Sequence, residues 1–120
     1  MAWKLDDSRP IWPQLKEKLT MEIVSGKYAM GGAFPTVRDL AADAGVNRNT
    51  MQRALSELES DGLLITNRTA GRTVTEDKEL INKMKKETAS AYVEEFVSQM
   101  KAMGFTTEDI IEALKERGDK

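Results

Sequence analysis

A cluster of hydrogen-bonding side chains lies at the beginning of one predicted helix. It consists of Asn47, Arg48, Asn49, Thr50, Gln52 and Arg53. Arginine can bond guanine through two donors, asparagine and glutamine can pair with adenine, and threonine can contact a phosphate or a thymine methyl group. These residue types therefore favour recognition of base edges in duplex DNA. The alternative is that they are helix caps and an ordinary solvated helix face.

The residues around this cluster predict a helix-turn-helix. Thr36 and Asp39 have the spacing of a capping box, which predicts a short helix that begins there. Gly45 supplies a positive-φ turn, Asn47 caps a second helix, and Gly62 ends that helix. The second helix of such a motif enters the major groove, so its exposed N-terminal residues are the predicted base-reading group.

A β-hairpin is predicted directly after the second helix. Residues 63–66 (LLIT) and 72–75 (RTVT) are β-capable, and residues 67–71 between them have the composition of a turn. A helix-turn-helix followed by a hairpin is a winged helix, in which the hairpin is the wing. The predicted fold class is therefore mostly α with a small β-hairpin: a winged helix-turn-helix domain followed by a two-helix C-terminal dimerisation arm.

Residues outside the second helix complete the predicted DNA-binding set. They are Thr36, Arg38, Arg68, Gly71 and Arg72. Arg38 lies early in the helix that crosses the DNA backbone, and the two wing arginines could reach the minor groove or its phosphates. The alternatives are an ion pair between Arg38 and a nearby carboxylate, and wing cations that only keep an edge hairpin soluble.

The segments before the helix-turn-helix are predicted to complete its core. Residues 10–24 have apolar side chains at helical spacing, and Ser8 is the predicted N-cap of this helix. The connector of residues 26–35 contains three glycines and a proline, and we expect its larger apolar side chains to pack inward. These side chains are Tyr28, Met30 and Phe34.

The C-terminal part predicts two amphipathic helices, one from about residue 76 to Gly104 and one capped by residues 105–109. Helices of this size cannot bury an apolar stripe alone, so they need the first domain or a second copy of the chain. We predict a DNA-binding domain in residues 1–75 and a helical dimerisation region in residues 76–120. The predicted dimerisation residues are Leu80, Met84, Val93, Phe96, Val97, Met100, Met103, Ile110, Ile111 and Leu114.

The composition excludes most catalytic chemistry. The 120 residues contain neither Cys nor His, which rules out thiolate zinc sites, cysteine nucleophiles and histidine bases. Neighbouring carboxylates such as Glu94 and Glu95 lie on helices and face different directions. We therefore predict no catalytic residue, no metal ligand and no cofactor, in a protein that is not an enzyme.

The net charge of −2 conceals a mild division along the chain. Residues 1–75 carry 10 Lys and Arg against 9 Asp and Glu, whereas residues 76–120 carry 8 against 11. Contact with DNA would therefore depend on a few placed cations rather than on a broad basic surface. No signal-like N-terminus or membrane-length apolar run is present, which predicts a cytoplasmic chain with no membrane partner.

Three motifs occur in a fixed order: residues 10–15 (PIWPQL), 32–38 (GAFPTVR) and 45–50 (GVNRNT). With them, residues 10–74 resemble the DNA-binding domain of GntR-family bacterial transcription regulators. The resemblance implies DNA contacts at Arg38, Arg48, Asn49 and Thr50, and makes Gly71 the wing glycine. The wing departs from the family pattern Gly-x-Gly-Thr-Phe-Val, because residues 69–74 read TAGRTV.

Only about 45 residues follow the wing, too few for the large effector-binding domain of most family members. Two helices with the joint GFTTED at residues 104–109 resemble the YtrA subfamily. That resemblance implies dimerisation through the short C-terminal helices and repression of ABC-type transport operons.

Together these patterns predict a sequence-specific DNA-binding transcription regulator, a repressor that binds an inverted-repeat operator as a homodimer. The two recognition helices would lie about one duplex turn (~34 Å) apart. The alternative is a winged-helix protein-interaction module or antirepressor without a duplex DNA target. The near-neutral charge of residues 1–75 favours that alternative, and the residue types of the cluster count against it. The sequence leaves room for a small-molecule effector without identifying one.

Overall fold

The computed structural model describes residues 3–69 and 71–118. In these residues the chain forms five α-helices and one two-stranded antiparallel hairpin, which confirms the predicted fold class. The elements are α1 (Ile11–Val24), α2 (Val37–Ala44), α3 (Arg48–Ser60), β1 (Leu64–Asn67), β2 (Gly71–Val74), α4 (Lys78–Ala102) and α5 (Thr107–Arg117). The chain divides into two compact units, a first unit up to Lys85 and a second unit from Lys86, so that α4 belongs to both.

The helix-turn-helix forms as predicted because each of its helices begins at a capping residue. Thr36 Oγ1 accepts a hydrogen bond from the backbone N–H of Asp39 at 3.1 Å, at the start of α2. Gly45 has a φ of 76°, a left-handed conformation that suits glycine, and ends α2. Asn47 Oδ1 then accepts the backbone N–H of Asn49 at 2.6 Å and begins α3.

Helix α1 begins at Ile11, and the predicted N-cap is wrong. The N-cap residue is Pro10, which makes no side-chain capping bond, whereas the Ser8 hydroxyl donates to Asp6 Oδ1 at 2.6 Å. Hydrogen bonds from the Ser8 hydroxyl, the Ser8 backbone N–H and Arg9 lower the pKa of Asp6 to about 2. Gln14 fastens the same segment to α1, because its Oε1 accepts the Asp6 N–H at 2.7 Å.

The core of the first unit forms where α1 and α2 pack against α3, with the hairpin beside them. Burial of apolar surface is the main favourable term in such a small fold. The large side chains that are completely or almost completely buried are Leu15, Leu19, Met51, Leu55, Leu58, Leu63, Leu64 and Val74. Because the buried face of α3 is fixed by this packing, its opposite face is directed to solvent.

The connector between α1 and α2 runs along the free edge of β2. The Phe34 N–H donates to the Arg72 carbonyl at 2.9 Å, and the Val74 N–H donates to the Gly32 carbonyl at 3.0 Å. The register of the hairpin itself pairs Leu64 with Val74. We call β1, β2 and the turn between them the wing. Strand β2 is therefore hydrogen-bonded on both edges, to β1 on one side and to the connector on the other.

Two of the three inward-packing predictions for the connector are confirmed. Phe34 is buried, and Tyr28 packs against the core with its ring centroid 4.8 Å from that of Phe34. Met30 is 44% exposed, so the prediction for this residue is wrong. The reason is a turn in which the Gly32 N–H donates to the Ala29 carbonyl and Met30 occupies the corner.

The first turns of α4 belong to the first unit and pack against its core. Asp77 Oδ1 accepts the Leu80 N–H at 3.1 Å, and the side chains of Leu80, Ile81 and Met84 contact the core. This packing is why the first compact unit extends to Lys85 and not only to the predicted domain boundary after residue 75. The functional division into residues 1–75 and 76–120 stays a prediction.

Helix α5 begins with a complete capping box, as predicted. Thr106 Oγ1 accepts the Asp109 N–H at 3.1 Å, and Asp109 Oδ2 accepts the Thr106 N–H at 2.9 Å, which lowers the pKa of Asp109. Ile110, on the first turn, is buried in the single chain. None of the described helices is long and apolar enough to cross a membrane.

Candidate nucleic-acid interface

The predicted base-reading residues lie on the solvent side of the first two turns of α3. The core takes Met51, Ala54 and Leu55 from these turns, which leaves the other side chains outside. Asn47, Arg48, Asn49, Gln52 and Arg53 are exposed and Thr50 is half-buried. The structure therefore brings the whole predicted cluster to one end of one helix, and its contact with DNA stays a prediction.

Three members of the cluster make contacts within the chain. The Asn47 amide oxygen caps α3, and Gln52 Nε2 donates to Ser56 Oγ at 3.1 Å. The Arg53 guanidinium carbon lies 4.4 Å from the ring centroid of Trp12 on α1. Such stacking restricts the directions that the Arg53 side chain can take. No local pattern in the sequence links Trp12 to Arg53, because the two residues meet only through the packing of α1 against α3.

Arg38, Arg48 and Arg68 form a second group, defined by the absence of a partner. Each is exposed, and none makes an ion pair with a carboxylate in residues 3–69 or 71–118. They lie on α2, at the start of α3 and in the turn of the wing, respectively. We call these three residues the unpaired arginines.

Four other cations of the first unit, Arg72 aside, form ion pairs with carboxylates. The ion pairs are Arg9–Asp6 at 2.9 Å, Lys16–Asp61 at 3.1 Å, Lys18–Glu22 at 3.4 Å and Lys27–Glu22 at 3.2 Å. The contact with Glu22 raises the pKa of Lys27. Although positive and negative charges nearly balance in residues 1–75, the three unpaired arginines on the predicted DNA-binding elements have no carboxylate partner among the described residues.

Arg72, the second predicted wing contact, has a different environment from Arg68. Its Nη2 lies 3.2 Å from Glu59 Oε1, and its side chain is only 18% exposed. The Thr66 hydroxyl donates to the other oxygen of Glu59. The sequence gives no local signal of the contact between Glu59 and Arg72, since the two residues are 13 positions apart.

A shallow cleft of about 310 Å³ separates the wing from the beginning of α2. Among its lining residues are Thr36, Gly71 and Arg72, three members of the predicted set. Gly71 has a φ of 73°, which explains a glycine at this place in the wing. The beginning of α2 also carries backbone N–H groups and the positive end of the helix dipole, a combination that suits an anion such as a phosphate.

The predicted dimerisation residues fall into different environments. Leu80 and Met84 pack on the core of the first unit, and Ile110 is buried in the single chain. The remaining residues are exposed or half-buried: Val93, Phe96, Val97, Met100, Met103, Ile111 and Leu114.

Within the described residues, no group of three or more acidic side chains could hold a metal ion.

A winged helix-turn-helix that presents arginines from both helices of the motif and from the wing has the arrangement typical of DNA-binding proteins. The sequence model of the bacterial regulatory proteins of the gntR family matches residues 13–74. The chain belongs to this family, as its resemblance implied. GntR proteins are transcription regulators and not enzymes, which confirms the prediction of a non-enzymatic role.

Two comparisons extend over nearly the whole chain. The uncharacterized HTH-type transcriptional regulator YhcF of Bacillus subtilis is 33% identical over 112 residues, which is 93% of each chain. A GntR family transcriptional regulator from Listeria monocytogenes has a structure that matches with a TM-score of 0.84 at 38% identity. That match covers 93% of this chain and 98% of the other.

Other relatives bear on DNA binding and on the direction of regulation. The DNA-binding domain of AraR, in complex with operator ORX1, matches with a TM-score of 0.54 at 27% identity over 62% of this chain and 99% of that chain. The transcriptional repressor NagR of Bacillus subtilis is 33% identical over 97 residues, which is 81% of this chain and 37% of NagR. YtrA from Sulfolobus acidocaldarius has a TM-score of 0.56 at 20% identity, which shows a shared fold alone.

Proposed function

We propose that this GntR-family regulator is a repressor that binds an inverted-repeat operator as a homodimer. The observation that carries the proposal is the placement of the unpaired arginines. Arg38, Arg48 and Arg68 lie on the three elements with which a winged helix meets DNA, and each is exposed without an ion pair to a described residue. Because no existing pair must be broken, these cations can bind phosphates or bases without leaving a carboxylate uncompensated.

The three arginines have different expected roles. Arg48 is the first residue of the recognition helix α3, where a side chain reaches base edges, so we assign it bidentate contact with guanine. Arg38 lies on the first turn of α2, beside the helix N-terminus, and is assigned to a phosphate. Arg68 projects from the wing turn and is assigned to the minor groove or its phosphates.

Homodimerisation is supported by the apolar surface of the second unit. Helix α4 has 25 residues and no buried side chain, although its residues Val93, Phe96 and Met100 repeat at helical spacing and Met103 follows directly after its end. Phe96 is 41% exposed and Met103 is 66% exposed. A sustained apolar stripe on a long helix is the pattern of a helix–helix interface. We take the occupant of this face to be the same face of a second copy, which is the usual isologous arrangement.

The symmetry of such a dimer determines the form of the operator. Two copies of α3 related by a two-fold axis read the same bases on opposite strands, so the operator is an inverted repeat. Relatives named as repressors, NagR among them, support repression. The short two-helix C-terminal part supports membership in the YtrA subfamily, from which an ABC-transporter operon is the proposed target.

The test is selection of duplexes from a random pool, followed by mobility shifts with the selected operator. Arg48→Ala is expected to lose discrimination between the operator and a scrambled duplex. Arg9→Ala is the matched control, because it removes the same charge from an arginine that is already paired with Asp6. Failure of the wild-type chain to enrich any duplex would instead favour a protein-interaction module or antirepressor.

A further inference from the structure

We propose, on the basis of the DNA binding proposed for this chain, that Glu59 positions the wing and that Arg72 binds this carboxylate rather than DNA. Glu59 lies on the last turn of α3. One of its carboxylate oxygens accepts the Thr66 hydroxyl on β1, and the other lies 3.2 Å from Arg72 Nη2 on β2. A single side chain of the recognition helix thus holds both strands of the wing.

The two residues that Glu59 contacts belong to the same rung of the hairpin. Thr66 and Arg72 are register partners, and beyond them only the pair of Asn67 and Gly71 separates this rung from the turn. A two-stranded hairpin has little rigidity by itself. The position of the turn that carries Arg68 therefore depends both on the hydrogen bond from the Phe34 N–H to the Arg72 carbonyl and on the attachment of this rung to α3 through Glu59.

Burial separates the roles of the two wing arginines. The side chain of Arg72 is 18% exposed and that of Glu59 is 27% exposed. Arg72 Nε is buried and has no hydrogen-bond partner among the described residues. Movement of this guanidinium to a phosphate would leave the Glu59 carboxylate partly buried and uncompensated, which is costly. Arg68 is exposed and forms no ion pair with a described carboxylate, so we assign the DNA contact of the wing to Arg68.

The test compares Glu59→Gln with Glu57→Gln. Both substitutions remove one negative charge from α3, but Glu57 lies 3.6 Å from Lys16 on α1 and forms no ion pair with the described residues of the wing. Loss of a partly buried ion pair that positions Arg68 is expected to weaken operator binding by about fivefold in Glu59→Gln. Glu57→Gln is expected to bind at least as tightly as the wild type. If Arg72 contacted DNA directly, Glu59→Gln would release it and tighten binding, which would overturn the proposal.

A double-substitution experiment distinguishes positioning from simple stabilisation. Arg68→Ala is expected to cost less affinity in the Glu59→Gln background than in the Glu57→Gln background, because the wing is then already misplaced. Equal costs in both backgrounds would overturn the positioning role. Thr66→Val removes the hydroxyl contact with little change of shape, and should weaken binding in the same direction as Glu59→Gln. Circular dichroism melts establish that each variant is folded.

The outcome for Arg48→Ala separates this inference from the proposed function. If Arg48→Ala abolishes specific binding while Glu59→Gln has no effect, the wing assignment alone is overturned. If the wild-type chain binds no duplex, both proposals are overturned.

Discussion

Replacement of Arg68 by alanine should change the salt dependence of operator binding by an amount that the structure defines. Arg68 is exposed in the wing turn, and a homodimer presents two copies of it. Each phosphate contact contributes about 0.9 to the slope of log affinity against log salt concentration, so Arg68→Ala should make the slope shallower by ~1.8. The change arises because two fewer condensed counterions are released on binding.

The wild-type slope follows from the same count. Arg38 and Arg68, the two unpaired arginines assigned to phosphates, correspond to about four phosphate contacts in a dimer, which predicts a slope of about −3.6 and a loss of about 150-fold in affinity between 50 and 200 mM salt. Titration of a fluorescently labelled operator, followed by anisotropy at several salt concentrations, measures both slopes. Arg9→Ala, which removes an arginine held by Asp6 at 2.9 Å, should leave the slope unchanged.

Two results would refute this reasoning. An Arg68→Ala slope equal to that of the wild type would mean that Arg68 does not contact phosphate. A wild-type slope shallower than about −2 would correspond to only two contacts in the whole dimer, and would remove the support for the unpaired arginines as the DNA-binding group.

Three further predictions concern assembly and stability. Phe96→Ser should weaken the homodimer in sedimentation equilibrium. The control Met21→Ser, which removes an exposed apolar side chain from α1, should leave the homodimer unchanged. Equal association of both variants would contradict the proposed interface. Leu55→Ala, at a completely buried position, should lower the free energy of unfolding in urea by about 2–5 kcal/mol, and a loss below 1 kcal/mol would show that the core relaxes around the cavity. Asp6→Asn should destabilise the chain at pH 6 but less at pH 3, because the folded-state pKa of about 2 lies below the ordinary value of 3.8. A carboxylate whose pKa is lowered in the folded state stabilises that state at pH values above its ordinary pKa, and this stabilisation is lost as the pH falls toward 2. An equal difference in urea midpoints between the variant and the wild type at both pH values would contradict the role of Asp6.

The helix-turn-helix could be predicted from the sequence because its signals are local. Thr36 and Asn47 cap helices through backbone N–H groups two or three residues away. Gly45 and Gly62 have positive φ angles of 76° and 86° at the helix ends, where glycine is favoured. Such contacts depend on neighbouring residues alone, so their residue types are readable in the chain.

The two local errors have physical causes of a different kind. Ser8 has the side chain of an N-cap, but Asp6 competes for its hydroxyl and Pro10 takes the capping position. Met30 is apolar, but the turn between Ala29 and Gly32 directs it outward. In both cases the residue type permitted the predicted role, and a neighbouring contact decided against it.

The amino-acid sequence by itself determined the class of the protein, since caps, glycine turns and apolar spacing are sufficient to specify a winged helix-turn-helix. It also determined which residue types could read DNA. Only the tertiary structure decided which of these side chains are available. Arg53 meets Trp12, and Arg72 meets Glu59, because helices and strands that are distant in the chain pack together. Contacts between packed elements have no local signature, and such contacts separate Arg53 and Arg72 from the unpaired arginines.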